Sequence, residues 1–216
     1  MKVYTTEQAK ALAAQVDRAL PPQIRFYRYG DRTTQIIRFL IENEMDVAKT
    51  VTAIKQTALF RLYWHADEIT ISDVKDAFAK MEGFPTGVTE DGRIVWFLNC
   101  SFQTAVKIQD FMLASIYAVD DLQRRLYEEC QRRGIQEAYK DYCVIVADTA
   151  NVSYASLTTK MEKAGVDVFV RHFPSFMSVN DIFISDDTAF QPTYSWEHAT
   201  YYNLNTPFYL RALWKA

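Results

Sequence analysis

Several kinds of residue and pattern are scarce in this sequence of 216 residues. Cysteine occurs three times, at Cys100, Cys130 and Cys143, an odd number with no Cys-x-x-Cys spacing. That is no disulfide framework, and it fits a reduced, intracellular protein. Glycine occurs only six times. No glycine-rich phosphate loop or dinucleotide fingerprint is present, which argues against a nucleotide enzyme. No run of eighteen apolar residues exists, so no segment is expected to cross a bilayer as a helix. The N-terminus, MKVYTTEQAKALAAQVDRAL, also lacks the uninterrupted apolar core and cleavage signature of a secretory signal.

Histidine is as rare as cysteine. His65, His172 and His198 are the only three, and none stands four residues from a second ligand, so no metal site is expected. Ser153, His172 and Asp148 are the residue types of a hydrolytic triad, but no Gly-x-Ser-x-Gly elbow presents the serine. The expectation is a protein without catalytic residues and without a cofactor. Neither sign of charge dominates: 24 basic against 27 acidic residues give a formal net charge of −3. A global attraction to nucleic acid or anionic membrane is therefore absent, and any such contact has to be local.

Apolar residues are plentiful, at 49% with 14% aromatic. A compact chain of this length buries roughly 70% of the surface its unfolded form exposes, enough for a sizeable core. The aromatics exceed what a minimal core needs, which leaves some for a cavity or an interface. Arg25, Arg28 and Arg32 interleave with Phe26, Tyr27 and Tyr29. In a basic protein that pattern grips phosphates; in a net acidic chain, a loop that packs its aromatics inward is expected.

The first third reads as helical. Residues 7–20 form one helix, ended by Pro21-Pro22. Asp31 caps a second, RTTQIIRFLIEN, and Asp46 a third, in which Val47, Val51, Ile54, Ala58 and Leu62 make an apolar stripe. Ser72 caps a fourth, with Val74, Ala77, Phe78 and Met81 on one face and Gly83 at its close. After Asp91-Gly92 the period changes, and IVWFL, residues 94–98, reads as a strand. A long helix over 104–133 follows, with Met112, Ile116, Tyr117, Leu122, Leu126 and Tyr127 buried and Gly134 beyond its end. YCVIVAD, residues 142–148, reads as a parallel strand buried on both faces, which completes a βαβ unit. A further helix is expected near 156–164 and a further strand in HATYYNLN. The class is mixed α/β, with a helical lobe over 1–83 and an α/β domain over 84–216. The pairs Asp120-Asp121 and Asp186-Asp187 read as solvated.

Four strings, in order, resemble the CRAL-TRIO lipid-binding family. IIRFLIENEMDVAKTVTAIKQTALFR is similar to the family's N-terminal helical segment through Arg38, Phe39 and Leu40, then Asp46, Val47 and Lys49. DGRIVWF resembles its Asp-Gly-Arg-Pro segment, with Ile94 in the proline position. VIVADTANVSYASL matches at Asp148 and Ser153, with Asn151 where glycine is common, and YSWEHATYYNLNTPFYLRALWK matches at Tyr194, Asn205 and Pro207. The resemblance implies a largely parallel sheet with flanking helices, incomplete at its C-terminal end, since the family continues past the Asn-x-Pro helix with a gate helix and a further strand. The stretch over 173–190 then looks like an insertion that covers the exposed sheet edge.

What the family implies about function is noncovalent binding or transfer of a hydrophobic ligand, a phospholipid such as phosphatidylinositol, by a cytoplasmic protein that meets membranes transiently. A degenerate module for protein–protein interaction is the alternative. Strand alternation sets Val95 and Phe97 against Ile94, Trp96 and Leu98, and Val144 and Val146 against Cys143, Ile145 and Ala147, and leaves open which set faces a cavity. The candidate lipid pocket comprises Val95, Phe97, Val144, Val146, Tyr202, Leu204 and Phe208. Arg124 and Arg125 are candidates for a headgroup or membrane surface; the other reading of the basic cluster Arg124, Arg125, Arg132 and Arg133 is complementarity to the helix dipole.

Overall fold

The computed structural model describes residues 6–81, 83–89, 93–99, 107–137, 139, 143–148, 171–174, 182–185 and 200–203. Three helices build the first core. Helix α1 (Thr6–Ala19) buries Ala9, Ala13 and Val16, spaced four and three apart so that they share one face. Helix α2 (Arg32–Glu42) starts where the sequence places its cap: the Asp31 carboxylate accepts the Thr34 amide at 2.8 Å. Helix α3 (Val47–Tyr63) begins the same way, with the Asp46 carboxylate accepting the Lys49 amide at 2.9 Å. These side chains satisfy amide groups that a helix start leaves without partners.

The loop between α1 and α2 packs inward as expected. Phe26 is buried, with Tyr27 and Phe39 meeting its ring edge-on at centroid distances of 4.9 and 5.7 Å. Arg32 donates to Asp17 at 2.7 Å and lies over the Phe26 ring. Phe39 and Leu40 are buried in this core, beside a buried Arg38.

Two local expectations are corrected. The buried face of α3 is rotated from the stripe expected between Val47 and Leu62. Ile54 of that stripe is buried, and Val47, Val51 and Ala58 pack half-buried against the first core, but Thr50, Thr57 and Arg61 are the other fully buried positions and Leu62 is 71% exposed. The spacing is again four, three and four, so the helix keeps its period but turns a hydroxyl- and guanidinium-bearing face inward. The cause is a buried partner for Arg61, described below. Helix α4 (Ile71–Met81) is not capped by Ser72, which falls inside its first turn. Thr70 precedes it, and the Asp73 carboxylate reaches back to accept the Thr70 amide and hydroxyl at 2.8 and 2.7 Å.

A five-stranded sheet follows in the order β1-β2-β3-β4-β5. Strand β1 (Gly83–Val88) pairs antiparallel with β2 (Ile94–Asn99); β3 (Cys143–Asp148), β4 (Ile182–Ser185) and β5 (Thr200–Asn203) extend the sheet in parallel. The fold is thus α/β with a largely parallel sheet. Strand β1 escapes a reading from composition because GFPTGV holds two glycines and a proline. It is tolerated as an edge strand, with a bulge between Pro85 and Gly87. Strand β4 corrects the expectation for 173–190: residues 182–185 do not cover an edge but lie inside the sheet, between β3 and β5. The helix expected near 156–164 lies outside the described residues.

Helix α5 (Ile108–Arg133) connects β2 to β3 and ends at Gly134, whose φ of 64° suits a residue without a Cβ. Met112, Ile116, Leu122 and Leu126 are buried as expected. They form the second core with Ile94 and Trp96 of β2, Cys143 of β3, and Ala66, Ile69, Val74 and Ala77 from the end of the helical lobe. Phe78 of α4 and Tyr117 of α5 meet edge-on, 5.8 Å apart. The second core thus joins the two parts of the chain.

Candidate functional site

Packing of α5 decides which sheet face belongs to the second core. Ile94, Trp96 and Cys143 point into the core beneath α5. By period-two alternation Val95 and Val144 belong to the other face. Both are strand neighbours in register, Val95 is half-buried, and Val144 is buried without joining either apolar core. Along the strands Phe97 pairs in backbone register with Val146, and the register continues from Val146 to Ile182 and from Ile182 to Thr200. Asp148, Ile184 and Tyr202 form the following row. Of the seven candidate pocket residues, Val95 and Val144 are thus neighbours on the face opposite α5, while Phe97, Val146 and Tyr202 lie on β2, β3 and β5 of the same sheet. Leu204 and Phe208 lie outside the described residues.

The basic candidates are placed differently. Arg124 donates to Asp121 at 2.6 Å and to both carboxylate oxygens of Glu128 at 2.8 Å. Arg125 donates to the other Asp121 oxygen at 2.6 Å. Burial raises the Asp121 pKa, but the Arg125 and Arg124 hydrogen bonds outweigh it and hold the carboxyl below its ordinary value. The same contacts push the Arg124 pKa up. Arg132 and Arg133 both pair with Glu129. The basic cluster is compensated along its own helix, three and four residues away.

Sequence reasoning missed the buried ionic pairs. Asp120, read as solvated, is buried and accepts two hydrogen bonds from Arg61, at 3.0 and 2.8 Å. Asp67 accepts a third at 2.5 Å. Burial drives the Asp120 pKa up, opposed by the adjacent guanidinium. Arg38, from the family-like triplet, donates to Glu137 at 3.2 Å and to Gln35 at 3.2 Å. Burial likewise raises the Glu137 pKa against the pull of Arg38. The signal available was an arginine at an apolar helix position, but its partner lies at long sequence distance. These pairs are structural: each arginine has its hydrogen-bonding carboxylate, and among the described residues no group of three His, Cys, Asp or Glu side chains is placed to hold a metal ion.

His172 accepts or donates a hydrogen bond at Thr57 Oγ1, 3.1 Å away, and stacks on Phe60 at 3.9 Å. Ser153, its conceivable nucleophilic partner, lies outside the described residues. No described helix is long and apolar enough to cross a membrane.

No protein-family model matches the sequence, and no curated protein is significantly similar to it. Among solved structures, the crystal structure of Sfh5, a Sec14-family protein, is similar over 93% of this chain and 82% of its own, with a TM-score of 0.56 and 10% identity. The chain has a CRAL-TRIO-like fold. At that identity the likeness is one of architecture.

Proposed function

We propose that this protein binds a long apolar ligand, a phospholipid such as phosphatidylinositol, on the sheet face opposite α5, and carries it between membrane surfaces without catalysing a reaction. The observation that supports this reading is the pair Val95 and Val144, neighbours in register on the face opposite α5 and outside both apolar cores of the described residues. A diacyl lipid has on the order of thirty methylene groups, each worth about 0.8 kcal/mol when removed from water, so a carrier needs a continuous apolar floor. The CRAL-TRIO-like fold supports the same reading, with a cytoplasmic protein that touches membranes only peripherally.

The test is mass spectrometry of lipids extracted from the purified protein. A phospholipid in near-stoichiometric amount is the expected result. A protein that purifies empty, and stays empty after incubation with phosphatidylinositol-containing vesicles, contradicts it and favours a protein-interaction module.

A further inference from the structure

Six large hydrophobic side chains stand out as exposed among the described residues, and three of them cluster at one place. Leu59, Leu62 and Tyr63, at the C-terminal end of α3, are 67%, 71% and 76% exposed. With Lys55 they fall at i, i+4, i+7 and i+8, so one helical face presents a lysine followed by three apolar side chains. Tyr63 meets Trp64 edge-on at 5.3 Å, and Trp64 itself packs half-buried against the second core, which anchors this end of the helix. This is the face that α3 turns outward because Thr50, Thr57 and Arg61 occupy its inward side.

A shallow groove of about 650 Å³ runs beside this face, lined by Ile24, Arg25, Lys55, Ala58, Leu59 and Leu62 among others. Its charge differs from the acidic average of the chain. Among the described residues neither Arg25 nor Lys55 is paired with a carboxylate. Of the two carboxylates at its rim, Asp67 is held by Arg61 at 2.5 Å, and Glu68 stands 3.8 Å from His65.

From this we infer that the C-terminal end of α3 is a docking face for an anionic bilayer. Protruding leucines and an aromatic beside uncompensated cations are what an interfacial helix uses: apolar side chains enter the acyl boundary while Lys and Arg meet anionic headgroups. Tyrosine favours that boundary because it has an apolar body and a polar tip. The groove is shallow, and the three side chains beside it are more than two-thirds exposed, so they protrude rather than enclose and suit a bilayer better than a peptide. The face is separate from the sheet, and it stands whether or not a lipid is carried there. It also replaces Arg124 and Arg125, whose charge is spent on their own helix, as the place where the protein meets a membrane.

Co-sedimentation of the full chain with phosphatidylcholine vesicles, with and without roughly one-third phosphatidylserine, tests this. Wild-type protein is expected to sediment with the anionic vesicles and to be released by salt. Leu59→Ser/Leu62→Ser/Tyr63→Ser should weaken binding at least tenfold with an unchanged circular dichroism spectrum, because these positions are exposed. Arg25→Gln/Lys55→Gln should weaken it roughly fivefold per charge removed. Wild-type protein that stays in solution, or a triple variant that binds as well as wild type, overturns the inference; so does a triple variant that loses only self-association, which would make the face an interface between copies. Lipid extraction from the same preparations keeps the two ideas apart: vesicle binding by an empty protein sinks the carrier reading and leaves this face in place.

Discussion

Arg61 of α3 and Asp120 of α5, 59 residues apart in sequence, meet through two hydrogen bonds of 3.0 and 2.8 Å, with each side chain only 2% exposed. The pair fixes the rotation of α3 and ties the helical lobe to the helix that crosses the sheet. Deleting one partner leaves the other charge buried and uncompensated, which costs about 3–5 kcal/mol. Asp120→Ala should therefore lower stability in urea by about 3 kcal/mol, the lower end, because Asp67 still holds Arg61. The double variant Arg61→Met/Asp120→Leu should recover most of that loss. A single variant no worse than a surface substitution would contradict a buried clamp.

Glu129 carries a pH prediction. Hydrogen bonds from Arg132, then Arg133, lower its pKa from 4.5 to about 2. A folded-state value below the unfolded one contributes stability that is complete above 4.5 and is lost as pH falls through about 2. NMR titration of the side-chain carboxyl should place its midpoint near 2 in the native protein. In Arg132→Gln/Arg133→Gln the midpoint should move back toward 4.5, and the acid side of the stability profile should flatten. A midpoint indifferent to both substitutions would show that the pairs do not persist in solution.

The two ends of α3 respond in opposite directions. Asp46→Ala removes the cap on the Lys49 amide and should cost about 1 kcal/mol. His65, just past the other end, holds φ at 50°, a left-handed conformation that penalises a Cβ. His65→Gly should raise stability by about 0.5–1 kcal/mol, read as a higher Tm. A fall in Tm would mean that the imidazole contributes more than its backbone strain costs.

Neighbouring residues of β2 separate ligand binding from folding. Trp96 is buried beneath α5, and Trp96→Ala should cost about 3–5 kcal/mol. Val95 faces the opposite way and is half-buried. Val95→Lys places a charge in the floor proposed for acyl chains and should lower the lipid-to-protein ratio severalfold while the protein stays folded. Equal lipid content in wild type and Val95→Lys would move the ligand elsewhere.

Features governed by residues a few positions apart were legible in the sequence. Asp31 and Asp46 cap their helices, and Gly134 ends α5, because each acts on groups within one turn. Features that depend on distant partners were not. Asp120 resembles any surface acid until Arg61 arrives from another helix, and the same pair turns Leu62 outward from the stripe it matches by period. Strand β1 exists through pairing with β2, against its own composition, and β4 is four residues whose place is set by β3 and β5. The candidate floor lies between these cases. Alternation separated Val95 from Trp96, and only the packing of α5 showed which of them belongs to the core.

The sheet order bears on how the chain is assembled. Strands β1 to β5 lie side by side in the order in which they are synthesised. Each new strand thus finds its partner already made, and none has to be inserted between two that have paired. Such an order lets the described sheet be extended from one edge without breaking a pairing already made. Among the described strands β5 pairs with β4 alone, so its arrival leaves the pairings of β1 to β4 undisturbed.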